Sequence, residues 1–275
     1  DWALAGNSRG APARLPGVRY GELMQQCPWF ADPPKPASQP RCLLCHGFTG
    51  SAADWSAGPC GSCSAAYPID LPGHGGAAEP KGAFCEEIQK LLADLPTSVD
   101  HVVGYSLGGR VALGLLQQAP ARLQAATIIA AQPGLTDANA REQRRCADRH
   151  WIELLRQQGI KAFVEAWENQ PLFATQADLP AERLAKQRAQ RLAQCPEGLA
   201  KCLECLGLGQ MPDTWPALAV YPGQLRWVVG ALDVKFNAIA ARVKALRPET
   251  ELQILPGVGH NPLLEWLPDN ANIKN

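Results

Sequence analysis

The chain has 275 residues, 46% hydrophobic and 19% charged, and its 26 basic and 26 acidic side chains leave a formal net charge of zero. A chain of this length builds one large domain or two small ones and buries enough apolar surface to need no disulfide or metal staple. Zero net charge argues against nucleic acid or an anionic membrane as a partner, and no apolar run approaches the roughly 20 residues that span a bilayer.

Residues 1–40 are rich in Pro, Gly and Ala, and Pro33-Pro34-Lys35-Pro36 excludes a regular element there. They read as an arm or weak edge strands. No basic stretch followed by an apolar one opens the sequence, so no secretory signal is read and the expected location is cytoplasmic. From residue 41 onward, short apolar runs alternate with helical patterns. The runs 41–45, 67–70, 101–105, 124–131, 225–230 and 252–255 predict strands, and 84–94, 107–118 and 236–246 predict helices. Such alternation predicts an α/β fold with a mostly parallel sheet covered on both faces.

Between residues 137 and 207 the strand pattern disappears. Asp137 is placed to cap a first helix, and Pro171, Pro180 and Pro196 punctuate those that follow. A helical insertion between two strands sits over the C-terminal edge of the sheet, where open α/β sheets bind ligands. Residues 134–215 therefore read as a cap inserted in a core formed by 1–133 and 216–275.

Ten cysteines include three CxxC pairs, Cys42/Cys45, Cys60/Cys63 and Cys202/Cys205. A zinc site from the first two is disfavoured, because an offset of three along a strand sends Cys42 and Cys45 to opposite faces. Cys202 and Cys205 fall in a helical stretch with no second ligand pair nearby. All are read as small, buried, reduced thiols of a cytoplasmic protein, and no metal is expected.

The strongest signal is Gly104-Tyr105-Ser106-Leu107-Gly108, after the apolar His101-Val102-Val103 and before the helical Arg110-Val111-Ala112-Leu113. A G-x-S-x-G between strand and helix is a nucleophile elbow, in which a tight turn exposes the serine Oγ. His46-Gly47-Phe48-Thr49-Gly50 follows the first strand. In α/β hydrolases this loop gives one backbone donor to an oxyanion hole and the residue after the nucleophile gives the other, here Phe48 and Leu107. The acid and base must follow in that order. Asp233 lies just past the strand at 225–230, and His260 just past the last strand. Four other histidines compete. His46 and His74 read as loop or structural residues, His101 starts a strand, and His150 lies in the cap.

The cap carries an excess of positive charge, with Arg141, Arg144, Arg145, Arg149, Arg156 and Lys161 in one stretch and Arg183, Lys186, Arg188 and Arg191 in another. Arg110 lies one helical turn beyond Ser106. Guanidinium groups pair with carboxylates bidentately, so a small polycarboxylate suits such a cavity.

Asp70-Leu71-Pro72-Gly73-His74-Gly75-Gly76, Val103 to Ala112, Gln132-Pro133-Gly134-Leu135, Asp148-Arg149-His150-Trp151, Gln170-Pro171-Leu172-Phe173, Asp233-Val234-Lys235-Phe236 and Gly259-His260-Asn261 together resemble the MenH family over residues 41–262. These are α/β-hydrolase-fold 2-succinyl-6-hydroxy-2,4-cyclohexadiene-1-carboxylate synthases of menaquinone biosynthesis. The resemblance implies a lyase without a cofactor, eliminating pyruvate from 2-succinyl-5-enolpyruvyl-6-hydroxy-3-cyclohexene-1-carboxylate. It implies Ser106, His260 and Asp233 as the catalytic base system, and Tyr105, Arg110, Arg144, Trp167, Arg188 and Lys235 as substrate-binding residues. A monomer or weak homo-oligomer is expected.

Three features depart from that family. The arm before residue 41 is long, residues 57–66 are short of apolar side chains where a helix usually packs, and only 15 residues follow His260. Two other readings share the motifs. A carboxylesterase or carbon–carbon hydrolase would use the same triad through an acyl-enzyme. A binding protein on a degenerate hydrolase fold would usually lack a triad member.

Overall fold

A computed structural model describes residues 41–55 and 66–266. The readings of residues 1–40 as an arm, of Cys60/Cys63, of most of the apolar-poor segment 57–66, and of the end of the chain lie outside the described residues. No helix among the described residues is long and apolar enough to cross a membrane.

Six strands form one sheet, each pairing parallel with its neighbours: β1 Cys42–Cys45, β2 Ala66–Ile69, β3 His101–Tyr105, β4 Ala125–Ile129, β5 Gln224–Gly230 and β6 Glu251–Leu255, in the order β2-β1-β3-β4-β5-β6. The four side chains of β1 are all fully buried, as expected for a continuous apolar strand enclosed on both faces. Its Leu43 and Cys45 join one core cluster and its Cys42 and Leu44 another, so the two cysteines do point to opposite faces. Burial pushes the Cys45 thiol well above its ordinary range, whereas Cys85, Cys146 and Cys195 are exposed, so the expectation of buried thiols fails for those three.

Each predicted strand overlaps an observed one to within a residue or two at the ends. The predicted helices correspond to α1 Phe84–Asp94, α2 Leu107–Gln118 and a slightly longer one at 234–246. α2 is buried over most of its circumference. Such a helix must have neighbours on several sides, and here the sheet, α1 and the segment beyond β4 enclose it.

Between β4 and β5 come α3 Ala138–Glu168, a 3-10 segment Pro171–Asp178, α4 Ala181–Leu192, α5 Pro196–Leu206 and the short α6 Trp215–Ala219. Asp137 caps α3, its carboxylate accepting from the Ala140 N–H at 2.7 Å. Gly159 breaks α3 with φ +76° and ψ −174°, a conformation open essentially to glycine alone. Pro171 and Pro196 open their segments at positions where the missing N–H costs nothing. These helices have their own core of Ile152, Leu155, Phe163, Val164, Trp167, Phe173, Leu199 and Leu203. Arg156, paired with Glu197 at 2.7 Å and Glu204 at 2.6 Å, ties α3 to α5.

The chain completes with α7 Val234–Leu246 and α8 Pro262–Glu265. Strand order reverses between β1 and β3, because β1 leads outward to β2 whereas β3 leads the other way. The loops leaving β1 and β3 therefore part at that point and leave a crevice at the C-terminal edge of the sheet.

Candidate active site

Ser106 stands between β3 and α2 with φ +51° and ψ −105°. A non-glycine residue held there is strained, and the surroundings hold it. The Ser106 N–H donates to Ile129 O at 2.9 Å, and the Gly108 N–H donates to His46 O at 3.0 Å. A side chain at Gly104 would strike the Gly108 backbone, and one at Gly108 would strike the end of β1. Both glycines of the motif are therefore required by close backbone approach.

The Ser106 Oγ lies 3.2 Å from His260 Nε2, and His260 Nδ1 lies 2.7 Å from Asp233 Oδ2. With the proton on Nδ1 donated to the carboxylate, Nε2 is free to accept from the serine hydroxyl. Asp233 caps α7, its other oxygen accepting from the Phe236 N–H at 3.3 Å. Asn237 Nδ2 donates back to Gly230 O at 2.7 Å and Asp233 O at 2.8 Å, fixing the turn that carries the acid. Leu107 opens α2, so its N–H has no intrahelical partner.

His46 and His74 are elsewhere, buried beneath the loop after β1. His46 Nδ1 donates to Gly47 O at 2.7 Å while its Nε2 accepts from the Leu71 N–H at 2.9 Å. His74 Nε2 accepts from the Thr49 N–H at 3.1 Å. Burial lowers the first to about 4 and the second to about 3, so both rings are neutral. They pin residues 47–49, and Phe48 packs edge-on against His74.

A cavity of about 480 Å³ opens above Ser106 and His260, roofed by the helices between β4 and β5. Tyr105, Arg110, Arg144, Trp167, Lys235 and Phe48 all line it. Three of these are cations close enough to act on one another: Arg144 pairs with Asp148 at 2.8 Å, and Arg110 donates to Leu206 O at 2.7 Å, with Lys235 beside them. Burial lowers the Arg110 guanidinium to about 10, with Arg144 adding repulsion, and the same two causes, burial first, lower Lys235. Burial pushes the Asp148 carboxyl up against the pull of both arginines. Three cations facing one carboxylate leave this end of the cavity positive. The Trp167 indole N–H is buried without a partner among the described residues.

Arg188 is not among the lining residues. Its guanidinium is half exposed and pairs with Glu168. Arg191, three residues on, does line the cavity, as do Arg183 and Lys186 of the same helix. Arg191 is buried, pairs with Glu168 at 3.1 Å and lies over the Phe173 ring. The sequence held the signal: 183, 186, 187, 190 and 191 form one i, i+3, i+4 stripe, and 188 falls off it. Asp54, also lining the cavity and held by Gln190, has no such signal.

With this geometry in hand, the chain matches the model of the alpha/beta hydrolase family over residues 42–269. It belongs to the alpha/beta hydrolase family. It is 34% identical over 229 residues to the 2-succinyl-6-hydroxy-2,4-cyclohexadiene-1-carboxylate synthase of Enterobacter sp. (strain 638), covering 81% of this chain and 85% of that one. The solved structure of MenH from S. aureus superposes with a TM-score of 0.77 at 30% identity, covering 82% of this chain and 88% of that one. The resemblance to the MenH family stands on these matches. A carboxylesterase from Nitrososphaera gargenis, with a TM-score of 0.68 at 22% identity over 86% of this chain and 88% of its own, shares the fold alone.

Proposed function

We propose that this enzyme is a cofactor-independent lyase of the menaquinone pathway. It would eliminate pyruvate from 2-succinyl-5-enolpyruvyl-6-hydroxy-3-cyclohexene-1-carboxylate to give 2-succinyl-6-hydroxy-2,4-cyclohexadiene-1-carboxylate. The substrate is a small molecule with three carboxylates, and the reaction belongs in the cytoplasm. The observation that carries the reading is the set of arginines and lysines lining one cavity with Ser106 and His260, whose imidazole is held by Asp233, in a chain whose relatives bear the synthase name.

The bond changes follow from the two ring names. A proton leaves C2, beside the succinyl ketone. The C2–H electrons form C2=C3, the former C3=C4 pair moves to C4=C5, and the C5–O bond breaks to release enolpyruvate, which becomes pyruvate. Ser106, its own proton passed to His260 Nε2, takes the C2 proton, and Asp233 stabilises the imidazolium. Charge developing on the ketone oxygen would be met by the backbone N–H groups of Phe48 and Leu107. Arg110, Arg144 and Lys235 would hold one carboxylate, with Trp167 as a further donor. Arg191 would hold another in place of the expected Arg188. Tyr105 would pack beside His260, its ring 5.8 Å from the imidazole. Residues 134–215 act as the cap in this reading.

One observation also favours an esterase: the Ser–His–Asp spacing is equally suited to acyl transfer. Pyruvate release from the enolpyruvyl substrate, measured beside p-nitrophenyl acetate hydrolysis for wild type and Ser106→Ala, separates the two. Serine-dependent pyruvate release with poor ester turnover is expected. Brisk ester cleavage without pyruvate would overturn the lyase and keep the triad.

A further inference from the structure

Glu265, at the end of α8, is 4% exposed. Its Oε2 accepts from the Gly259 N–H at 2.6 Å, and its Oε1 accepts from the Asn261 N–H at 3.0 Å. One carboxylate thus holds the backbone N–H groups of the residues before and after His260. No ion pair to Glu265 is present among the described residues. A buried carboxylate supported by neutral donors alone is costly to desolvate, and an apolar residue would serve packing better. The arrangement makes sense if its purpose is to fix the backbone of residue 260.

A third donor comes from a different part of the chain. The Thr175 hydroxyl, in the 3-10 segment between β4 and β5, donates to Glu265 Oε2 at 2.9 Å. Phe173 of the same segment lines the cavity. The helical cap therefore touches the carboxylate that clamps the histidine loop, and Arg183 of α4 also donates to Leu264 O at 2.6 Å, next to that carboxylate's own residue.

We propose that Glu265 is the positioning residue for His260, and that Thr175 makes this positioning depend on a docked cap. The inference deepens the triad reading and rests on it. A misplaced imidazole loses the aligned proton transfer, whereas the carboxylate-binding cations on the cavity wall keep their places. The signature is therefore a fall in kcat at constant KM.

Glu265→Gln keeps the shape but turns N–H donors toward one of the two backbone N–H groups. We expect kcat for pyruvate release to fall about 30- to 100-fold with KM within about twofold of wild type. The downfield proton resonance of the His260–Asp233 hydrogen bond should broaden or vanish. Thr175→Val should lose roughly 3- to 10-fold in kcat, and Thr175→Ser should restore it. Should Glu265→Gln fail to fold, the Thr175 pair carries the test alone. Wild-type kcat in both Glu265→Gln and Thr175→Val, with Ser106→Ala inactive, would overturn the clamp and leave the triad standing. So would a loss borne by KM with the downfield resonance intact. Activity retained by Ser106→Ala would overturn the triad reading itself and the clamp with it.

Discussion

Arg188 and Arg191 both pair with Glu168 from the same helix, yet only Arg191 turns into the cavity. Three residues on a helix rotate a side chain by most of a turn, and here the remainder separates a buried guanidinium from a half-exposed one. Glu168 holds both, so one carboxylate serves an outer pair that is worth little and an inner one that orients a cation.

The two arginines should therefore behave differently when truncated. Arg191→Ala and Arg144→Ala should each lose about 2–4 kcal/mol of transition-state stabilisation, read as kcat/KM, if each meets a desolvated carboxylate. Arg188→Ala should stay within about threefold of wild type, because its pair is exposed. Steady-state kinetics of pyruvate release on the three variants decides the matter. Equal losses for Arg188→Ala and Arg191→Ala would remove Arg191 from the site.

How far the site was legible follows from the range of the interactions involved. The elbow at Ser106 is local: strand, tight turn and helix adjoin in sequence, and steric exclusion at Gly104 and Gly108 writes itself into a five-residue motif. Asp233 and His260 were legible because each closes a strand, and the fold sets their order. Arg188 falls outside the cavity lining because a resemblance aligns residue types, whereas the phase of α4 decides which of two arginines faces inward. Glu265 and Asp54 left no trace. Glu265 works through backbone amides, which have no letter in the sequence, and a hydroxyl 90 residues away.

The buried histidine pair predicts a stability that depends on pH. His46 and His74 titrate near 6.5 in an unfolded chain, but near 4 and 3 in the folded one. The unfolded chain takes up their protons first. Their contribution is complete above pH 6.5 and is lost as pH falls through about 4 and then about 3, roughly 3 kcal/mol for His46 alone. Urea unfolding between pH 7 and 4 should show stability falling with acid. His74→Gln, whose amide oxygen can still accept from the Thr49 N–H, should flatten that slope. An unchanged slope would mean that other groups set it.

Asp54 works in the opposite sense. Burial raises its carboxyl from 3.8 to about 6, against opposing hydrogen bonds and Arg191. A raised folded value means the contribution is complete below 3.8 and is lost as pH rises through about 6. The ionised carboxylate therefore lowers stability at neutral pH, by an amount that solvent in the open cavity reduces. Asp54→Asn keeps one oxygen to accept from the Ser51 N–H and puts an NH2 where Gln190 Nε2 now donates, so the Gln190 amide has to turn over and accept from it. It should gain about 1 kcal/mol at pH 8 and nothing at pH 4. Urea titrations at the two pH values test this, and a gain at pH 4 as large as that at pH 8 would contradict it.

The strain at Ser106 sets the last expectation. A side chain held at φ +51°, ψ −105° costs about 1–3 kcal/mol, which the turn bears because Oγ must reach His260. Glycine adopts that conformation freely but adds freedom to the unfolded chain, worth roughly 0.5–1 kcal/mol the other way. Ser106→Gly should therefore be more stable than wild type by about 1 kcal/mol while losing nearly all activity. Ser106→Ala keeps the Cβ and so keeps most of the strain, and should lose activity with little stability gained. Chemical denaturation of the two variants separates backbone strain from the loss of the hydroxyl. Equal stabilities would place the strain elsewhere and leave the Oγ–imidazole hydrogen bond as the whole difference from wild type.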